Sequence, residues 1–452
     1  MSAEQNNTTQ PRFRTLLKIA IPTLAILLLV GAGCTRGTDE PEPVELSFWG
    51  VFDGRDVYQP LIERYQALHP NVKITYSKLT IDRYEQDVVE ALAAGRGPDV
   101  WLLQNAWLPR HLDKLMPASP SVIDAATIQQ SFVDSVYEDY VLVPAPSADG
   151  TQLPPLVYGV PLYVDTLAMY YNKDLLQSQG IINPPENWTD FAQDVRTLTV
   201  TDDFGNVERS GAAMGTADNV ENSGDLLALL MLQNQTPMVD VARQRATFDQ
   251  RVTRADGEQF LPGLDALVFY TDFANPKKSV YTWDPTKANS VDAFVNEEAA
   301  FLFHYQYVDS TIQARAPQLN YQIAPIPQIA GAAKDITYAN SWAHVVSKAS
   351  GTAEQQEAWR FISFLASTDN ATTYADASGR PSSRRDVLEA QLTDPEVAVF
   401  AQQALTARTW FRQDSSLIEN IFADMITSVV LGTLPEEALQ SAADQVTAVM
   451  RK

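Results

Sequence analysis

The side chains of this chain most able to do chemistry are amides, carboxylates and aromatic rings at the ends of predicted strands. Asp53 follows the first run typical of a β-strand, and Gln104, Asn105 and Trp107 follow the third such run. An amide donates and accepts hydrogen bonds at once, which suits the hydroxyl pairs of a polar ligand. Ligands of parallel α/β sheets bind at the carboxyl ends of the strands, so we expect these residues to border a binding site.

The sequence carries no motif typical of a catalytic or metal centre. It lacks HExxH, GxSxG and GxxxxGK[ST], and its four histidines are scattered without ligand spacing. Its one cysteine, Cys34, can form no intramolecular disulfide, and alone it supplies too few ligands for a cysteine-bound zinc. We therefore expect no cofactor, no metal and no catalysis. A secreted glycosidase that uses two carboxylates stays open as the enzymatic alternative.

The elements that must position these residues alternate between strands and helices. From Val44 to Leu103 the pattern runs strand, helix, strand, helix, strand, which predicts an α/β fold with a parallel sheet. A second unit of the same kind begins at Leu156. The length of 452 residues, 45% of them hydrophobic, is enough for two or three domains, each with its own core.

The charge balance narrows the class of partner. There are 56 Asp and Glu residues against 33 Lys and Arg, a formal net charge of -23. Such an acidic surface repels phosphate backbones and anionic headgroups, which argues against nucleic acid and membrane-surface partners. A neutral or cationic small ligand is favoured.

The N-terminus is typical of a secretion signal. Three basic residues precede an apolar run at Ile19–Val30, which is followed by the small residues Gly31–Gly33 and then Cys34. The apolar run is shorter than the ~20 residues that cross a bilayer, and Pro22 interrupts it. The small residues before Cys34 resemble a lipobox, which implies cleavage after residue 33 and lipid attachment to Cys34. A plain signal or an uncleaved anchor stays open.

The predicted location follows from that signal. Residues 34–43 are polar and contain proline, so we interpret them as a flexible tether between a lipid anchor and the first domain. The protein is therefore expected outside the cytoplasm, anchored to the cell membrane, in a periplasm or at the cell surface.

Several blocks along the chain together resemble one known family. They are LSFWG, AAGRGPDVWLL, YGVPLYVDTLAMYYNKDLL, EEAAFLFHYQYV, SWAHVVSK, SGRPSSRRDVL and LGTLPEEAL, and they span nearly all of the chain after the tether. In this order they resemble the extracellular solute-binding proteins of ABC importers, in the sugar-binding group that includes maltose-binding protein. The resemblance implies a monomer that captures a carbohydrate, such as an oligosaccharide, and delivers it to membrane permease subunits.

The resemblance also implies the architecture, a two-lobed periplasmic-binding-protein-like fold of type II with several chain crossings at the hinge. By this comparison lobe one holds residues 44–160 and 341–392, and lobe two holds residues 161–340 and 393–452. The crossings are expected near residues 158–165, 338–344 and 392–400. Ligand would bind between the lobes and favour their closed state.

The family's ligand-binding positions carry over to particular residues of this chain. Carboxylates that accept ligand hydroxyls match Asp53 and Asp165, and the hinge position matches Tyr163. The remaining matches are the aromatic residues Tyr307, Trp342 and Trp410 and a hydrogen-bonding Arg384. Each has a structural alternative: a helix cap for Asp53 and the amides, a turn for Asp165, core packing for the rings and an ion pair for Arg384.

A different ligand class stays open as well. The adjacent Tyr170 and Tyr171 invite comparison with iron-binding relatives, in which neighbouring tyrosines hold ferric ion, although their YNKDLL context is that of the sugar-binding group. A polyamine is the other non-sugar alternative.

Overall fold

The computed structural model describes residues 42–147, 149–254 and 257–451. The predicted signal segment, Cys34 and most of the predicted tether lie outside the described residues. In the described ranges no helix is both long enough and apolar enough to cross a membrane.

The strands form where runs of β-branched and aromatic residues alternate with turn residues. Numbered in chain order, they are β1 Val44–Gly50, β2 Val72–Lys78, β3 Val100–Gln104, β4 Val141–Leu142, β5 Leu156–Val157, β6 Val160–Thr166, β7 Ala168–Asn172, β8 Val200–Thr201, β9 Val207–Ala212, β10 Val252–Thr253, β11 Gln259–Phe260, β12 Ala299–His304, β13 Tyr321–Ala324, β14 Thr337–Val346 and β15 Ala407–Arg408.

The helices occupy the segments with apolar residues at helical spacing, and several begin at an asparagine or aspartate whose side chain caps the first turn. They are Arg55–Leu68, Ile81–Ala93, Leu108–His111, Ala125–Ser131, Asp134–Tyr140, Lys173–Ser178, Trp188–Leu198, Ser223–Gln233, Pro262–Asp272, Ser290–Val295, Val308–Arg315, Thr352–Leu365, Thr368–Ser378, Arg385–Gln391, Ala398–Ala404, Ser415–Val430 and Pro435–Met450.

The first main sheet has the order β15-β14-β3-β1-β2, and β6 pairs with β14. Strand β1 runs parallel to both β2 and β3, as the alternation of strands and helices predicted. Strand β14 is antiparallel to β3 and β6, and its register sets Trp342 opposite Gln104 and Asn340 opposite Asp165. The pairing therefore brings together residues that are 175 and 238 positions apart in the chain.

The second main sheet has the order β13-β7-β12-β9-β8. Strand β12 is parallel to β9 and antiparallel to β7, and it ends at His304. Tyr305 and Tyr307 come shortly after His304, so two aromatic side chains lie just beyond the carboxyl end of β12.

Each main sheet carries its own hydrophobic core. The first core draws its residues from 44–164 and 339–407, and the second draws most of its residues from 167–338 and 410–450. We call the parts around these cores lobe one and lobe two. Each large side chain buried in a core contributes roughly 1.5–3 kcal/mol by leaving water, so each lobe has its own source of stability.

The chain passes between the two cores at three places. The first two passages, within β6–β7 and β14, lie inside or beside the ranges expected for the crossings. The third passage begins within the expected range 392–400, where Phe400 packs against residues of the second sheet. It ends between Ala407, which packs in the first core, and Trp410, which packs in the second. The limits of the lobes beyond these passages stay a prediction.

Candidate ligand-binding cleft

A cavity of about 730 Å³ lies between residues of the two lobes, and we call it the cleft. Its volume falls within the range of small-molecule sites. It is lined by Phe52, Ile81, Gln104, Trp107, Tyr163, Asp165, Asn222, Ser223, Gly224, Asp225, Tyr305, Tyr307, Asn340, Trp342, Arg380, Ser416, Glu419, Asn420 and Ala423. Six of the ten residues predicted from the sequence are among them: Gln104, Trp107, Tyr163, Asp165, Tyr307 and Trp342.

Lobe one presents a cluster of aromatic rings to the cleft. Trp342 is the centre of this cluster, with its ring edge-on to Phe52 at 5.0 Å and to Trp107 at 4.9 Å. Trp342 is almost fully buried, so its position is set by packing as well as by the β14 register. The rings of this cluster give the lobe-one wall apolar surface of the kind that the C–H faces of a ligand can contact.

Lobe two presents Tyr307 opposite this cluster. Its side chain is 50% exposed, although it lies next to His304 and Tyr305, whose rings are 4.9 Å and 6.3 Å away. An exposed ring held by its neighbours loses little freedom when a ligand covers it.

Asp165 lies at the floor of the cleft, in the strand β6 that crosses between the lobes. Its Oδ1 accepts hydrogen bonds from the backbone N–H of Thr166 at 2.8 Å and of Gln306 at 3.0 Å. Burial nevertheless raises the pKa of Asp165 to about 6, because desolvation outweighs these bonds. Both bonds go to Oδ1, so Oδ2 is the oxygen to which a ligand hydroxyl would donate.

Asp53 does not line the cleft, and it is not a helix cap either. The cap of the following helix is Gly54, and no side chain bonds to that helix end. Asp53 instead lies behind the cleft, where its carboxylate accepts hydrogen bonds from Tyr374 Oη at 2.6 Å and Arg380 Nε at 3.3 Å. In the structure Asp53 therefore contacts Arg380, which itself lines the cleft.

Arg380 is the cleft residue that the sequence reasoning missed. Its guanidinium lines the cleft and lies over the ring of Tyr163 at 4.4 Å and near Phe52 at 5.6 Å. The predicted arginine of the same block, Arg384, lies outside the cleft and bonds to Asp386, Ala366 and Thr368. Arg384 is the N-cap residue of the helix Arg385–Gln391, and each of its three guanidinium nitrogens donates to a partner within lobe one.

Asn105 and Trp410 lie in a second cavity of about 980 Å³, which we call the side groove. Asn105 Nδ2 donates to Asp139 at 3.0 Å, and Thr409 Oγ1 bonds to the same carboxylate. Trp410 is 9% exposed and packs against Phe422 of the second core. The structure therefore does not bring these two predicted residues to the cleft, because Asn105 turns away from Gln104 and the Trp410 ring joins the core.

The lobe-two wall of the cleft holds two carboxylates that the sequence reasoning also missed. Asp225 accepts a hydrogen bond from Tyr305 Oη at 2.7 Å, and Arg412 approaches Asp225 at 3.4 Å and Glu419 at 3.5 Å. Asp225 stands in the first turn of the helix Ser223–Gln233, so an acidic residue at a helix start was the available signal for it. Glu419 lies further along the helix Ser415–Val430, where no such signal marks it.

Two polar contacts join the lobes around the cleft. Gln306 Nε2 of lobe two donates to the carbonyl oxygen of Gly379 in lobe one at 2.8 Å. Arg110 of lobe one approaches Asp414 of lobe two at 3.4 Å and is also paired with Glu85 at 3.3 Å. These contacts hold the lobes near each other on both sides of the cleft.

The tyrosine pair considered for iron lies in strand β7 of the second sheet and does not line the cleft. Tyr170 donates to the carbonyl oxygen of Tyr305 at 3.2 Å, and Tyr171 donates to Gln322 at 2.7 Å. Within the described ranges, no three or more His, Cys, Asp and Glu residues are grouped as they would be to hold a metal ion.

Comparisons with known proteins place the chain in a family. Residues 53–372 match the family described as bacterial extracellular solute-binding protein. A Brucella abortus protein described as a binding protein is 23% identical over 419 residues, which cover 87% of this chain and 90% of that protein.

Solved structures show the same fold. The sugar-binding protein MalE from Xanthomonas citri superposes with a TM-score of 0.71 at 20% identity, covering 90% of this chain and 97% of that one. The cyclic alpha-maltosyl-1,6-maltose binding protein from Arthrobacter globiformis has a TM-score of 0.70 at 18% identity, covering 90% and 99%. The predicted two-lobed α/β fold is thereby confirmed. The family match extends over well more than half of the chain, and the protein belongs to the bacterial extracellular solute-binding proteins.

Proposed function

We propose that this protein captures a neutral carbohydrate, an oligosaccharide in particular, in the cleft and delivers it to the permease subunits of an ABC importer. The observation that carries the proposal is the composition of the cleft. Aromatic rings from both lobes lie beside a buried carboxylate, an amide pair and a guanidinium. The sugar-binding names of the structural neighbours support the same ligand class.

A sugar needs this combination because its ring faces carry C–H groups and its rim carries hydroxyls. Trp342 and Tyr307 would cover the faces from lobe one and lobe two. Asp165 would accept a hydrogen bond from a ligand hydroxyl, and Arg380 would donate hydrogen bonds to hydroxyl oxygens. Each of these bonds involves a charged group and is therefore stronger than a neutral hydrogen bond. A ligand that contacts both lobes at once favours their closed arrangement.

The proposed binding residues are those predicted residues that line the cleft, joined by three that only the structure identifies. Phe52 extends the aromatic cluster, Arg380 supplies the cation, and Asn340 accepts a hydrogen bond from Gln104 at 3.2 Å. Asp53 is proposed as a positioning residue that holds Arg380, and no ligand contact is proposed for Asn105, Arg384 or Trp410.

The anchoring of the protein is proposed from the sequence pattern around Cys34. A lipid on Cys34 and the tether at residues 34–43 would keep a monomeric receptor close to its permease. Mass spectrometry of the mature N-terminus tests this proposal. A diacylglyceryl-modified Cys34, and release of the Cys34→Ala variant from the membrane fraction, are the expected results; an unmodified N-terminus elsewhere contradicts the proposal.

The protein is proposed to bind without catalysis. A sugar recovered from the complex after long incubation should be chemically unchanged, which chromatography of the released ligand can check. Shortened products would favour the glycosidase alternative.

A polyamine is the second candidate ligand, favoured by the carboxylates Asp165, Asp225 and Glu419 along the cleft. A thermal-unfolding screen against mono- and oligosaccharides, polyamines and ferric ion separates the candidates. A ligand at ~100 times its Kd adds about 2.7 kcal/mol to the free energy of unfolding. Stabilisation by an oligosaccharide, reduced in Asp165→Asn, supports the proposal, whereas stabilisation by a polyamine or iron alone changes the ligand class.

A further inference from the structure

We propose that Arg412 is a specificity-determining residue, whose single positive charge offsets part of the negative charge of Asp225 and Glu419 on the cleft wall and so keeps the cleft selective for neutral over amino sugars. This inference rests on the proposed function, because it concerns which sugars the cleft accepts.

Arg412 stands behind the cleft wall rather than in it. Its side chain is 7% exposed and lines the side groove, whereas Asp225 and Glu419 line the cleft. Its Nη1 approaches Asp225 Oδ1 at 3.4 Å and Glu419 Oε1 at 3.5 Å, so one guanidinium nitrogen serves both acids. The two carboxylates thus face the ligand, and the single positive charge that offsets part of their negative charge does not.

The chain around Arg412 fixes it in this place. Four residues earlier, Arg408 pairs with Asp134 at 3.1 Å, and Thr409 bonds to the buried Asp139. These contacts tie the third passage between the lobes to lobe one, while Arg412 reaches the wall of lobe two. Arg412 is therefore in position before any ligand binds. It offsets the charge of Asp225 and Glu419 in the ligand-free protein as well as in the complex.

The acids are also held in place. The Tyr305 hydroxyl donates to Asp225 Oδ2 at 2.7 Å, which leaves Oδ1 for Arg412 and the ligand. Glu419 is more open, with 56% of its side chain exposed, and burial of its neighbourhood raises its pKa. Its side chain is therefore the one most able to turn toward a ligand.

Among the described residues that line the cleft, no second cation can replace Arg412 at this point. Arg380 lines the cleft, but it belongs to lobe one and is already paired with Asp53 at 3.3 Å. Removal of Arg412 therefore leaves Asp225 and Glu419 facing the ligand without their shared partner. A ligand ammonium group would then supply the missing charge, and charge-assisted hydrogen bonds are about twice as strong as neutral ones.

The test is the ratio of the Kd of a neutral sugar to the Kd of the matching amino sugar at pH 7, measured by calorimetry on the full-length protein. The probes are glucose with glucosamine and cellobiose with chitosan disaccharide, pairs in which an amine replaces the 2-hydroxyl. We expect Arg412→Met to shift the ratio about tenfold toward the amino sugar, and Arg412→Lys, which keeps the charge, to shift it less. The double variant Arg412→Met/Glu419→Gln should return the ratio toward that of the unmodified protein.

Two further variants keep the inference testable if Arg412→Met fails to fold. Glu419→Gln alone removes one of the two acids, so the ratio should move in the opposite direction, toward the neutral sugar. Arg243→Met removes another arginine of the side groove, one that stacks on Phe411 and does not contact these acids, so the ratio should stay unchanged.

The outcomes separate this inference from the proposed function. If the unmodified protein binds sugars but folded Arg412→Met and Glu419→Gln leave the ratio unchanged, the role of Arg412 is refuted and sugar binding stands. If the unmodified protein binds no sugar of any length, the proposed function fails and the inference fails with it.

Discussion

Replacement of Asp165 by Asn should change stability and ligand affinity in opposite directions. Asn is nearly the same size, and its Oδ1 can still accept the backbone N–H groups of Thr166 and Gln306. The substitution therefore removes a buried negative charge with little change of shape. A residue that only supports the fold would not be expected to stabilise the protein when it is replaced.

The magnitude follows from the pKa of Asp165, which burial raises from 3.8 to about 6. Between these values Asp165 keeps a proton in the folded protein that it has lost in the unfolded chain. The contribution of Asp165 to stability is therefore greatest below pH 3.8 and falls as pH rises through about 6. The whole fall corresponds to about 3 kcal/mol at neutral pH. Asp165→Asn should remove this fall, and the ligand-free variant should be more stable at pH 7 by up to about that amount.

Affinity should move the other way, because a hydrogen bond to a charged group contributes about 1.5–3 kcal/mol and the neutral amide retains only part of it. A loss of roughly 10- to 100-fold in Kd is expected by calorimetry, with unfolding followed in parallel between pH 4 and pH 8. Asp194→Asn is the matched control, since the pKa of Asp194 is also raised to about 6 but its helix lies away from the cleft. Equal affinity losses in both variants, or a destabilised Asp165→Asn, would refute the reasoning.

Three other variants test the remaining contacts of the site. Tyr307→Ala should weaken sugar binding about tenfold in calorimetry while the melting temperature changes little, because this ring is half exposed; an unchanged Kd would remove it from the site. Asp53→Asn should lower the free energy of unfolding by about 3 kcal/mol in urea denaturation, since it leaves the Arg380 charge unpaired, and should also weaken binding. Arg384→Met should lower stability by about 1 kcal/mol through loss of the contact with Asp386 and leave the Kd unchanged; a weaker Kd would restore Arg384 to the list of ligand contacts.

Local patterns in the sequence were enough to predict the strands and helices from Val44 to Leu103. Strands β1–β3 pair in parallel where alternation of apolar residues predicted them, because a strand with one periodic apolar face has few ways to bury it. The position of Gln104 and Trp107 at a strand's carboxyl end followed from the same rule. The family resemblance added Asp165, Tyr307 and Trp342, whose roles depend on contacts between distant segments.

The sequence by itself determined the α/β class, the acidic charge, the absence of motifs for metal or nucleophile chemistry and, through its blocks, the family. Only the tertiary structure decided which arginine of the GRPSSRR segment faces the cleft, that Asp53 contacts Arg380, and that Asn105 and Trp410 turn into the side groove. The physical reason is that a side chain's direction depends on strand register and on the partners that neutralise its charge. Those partners lie hundreds of residues away, as Asp53 and Arg380 do, and no local pattern records them.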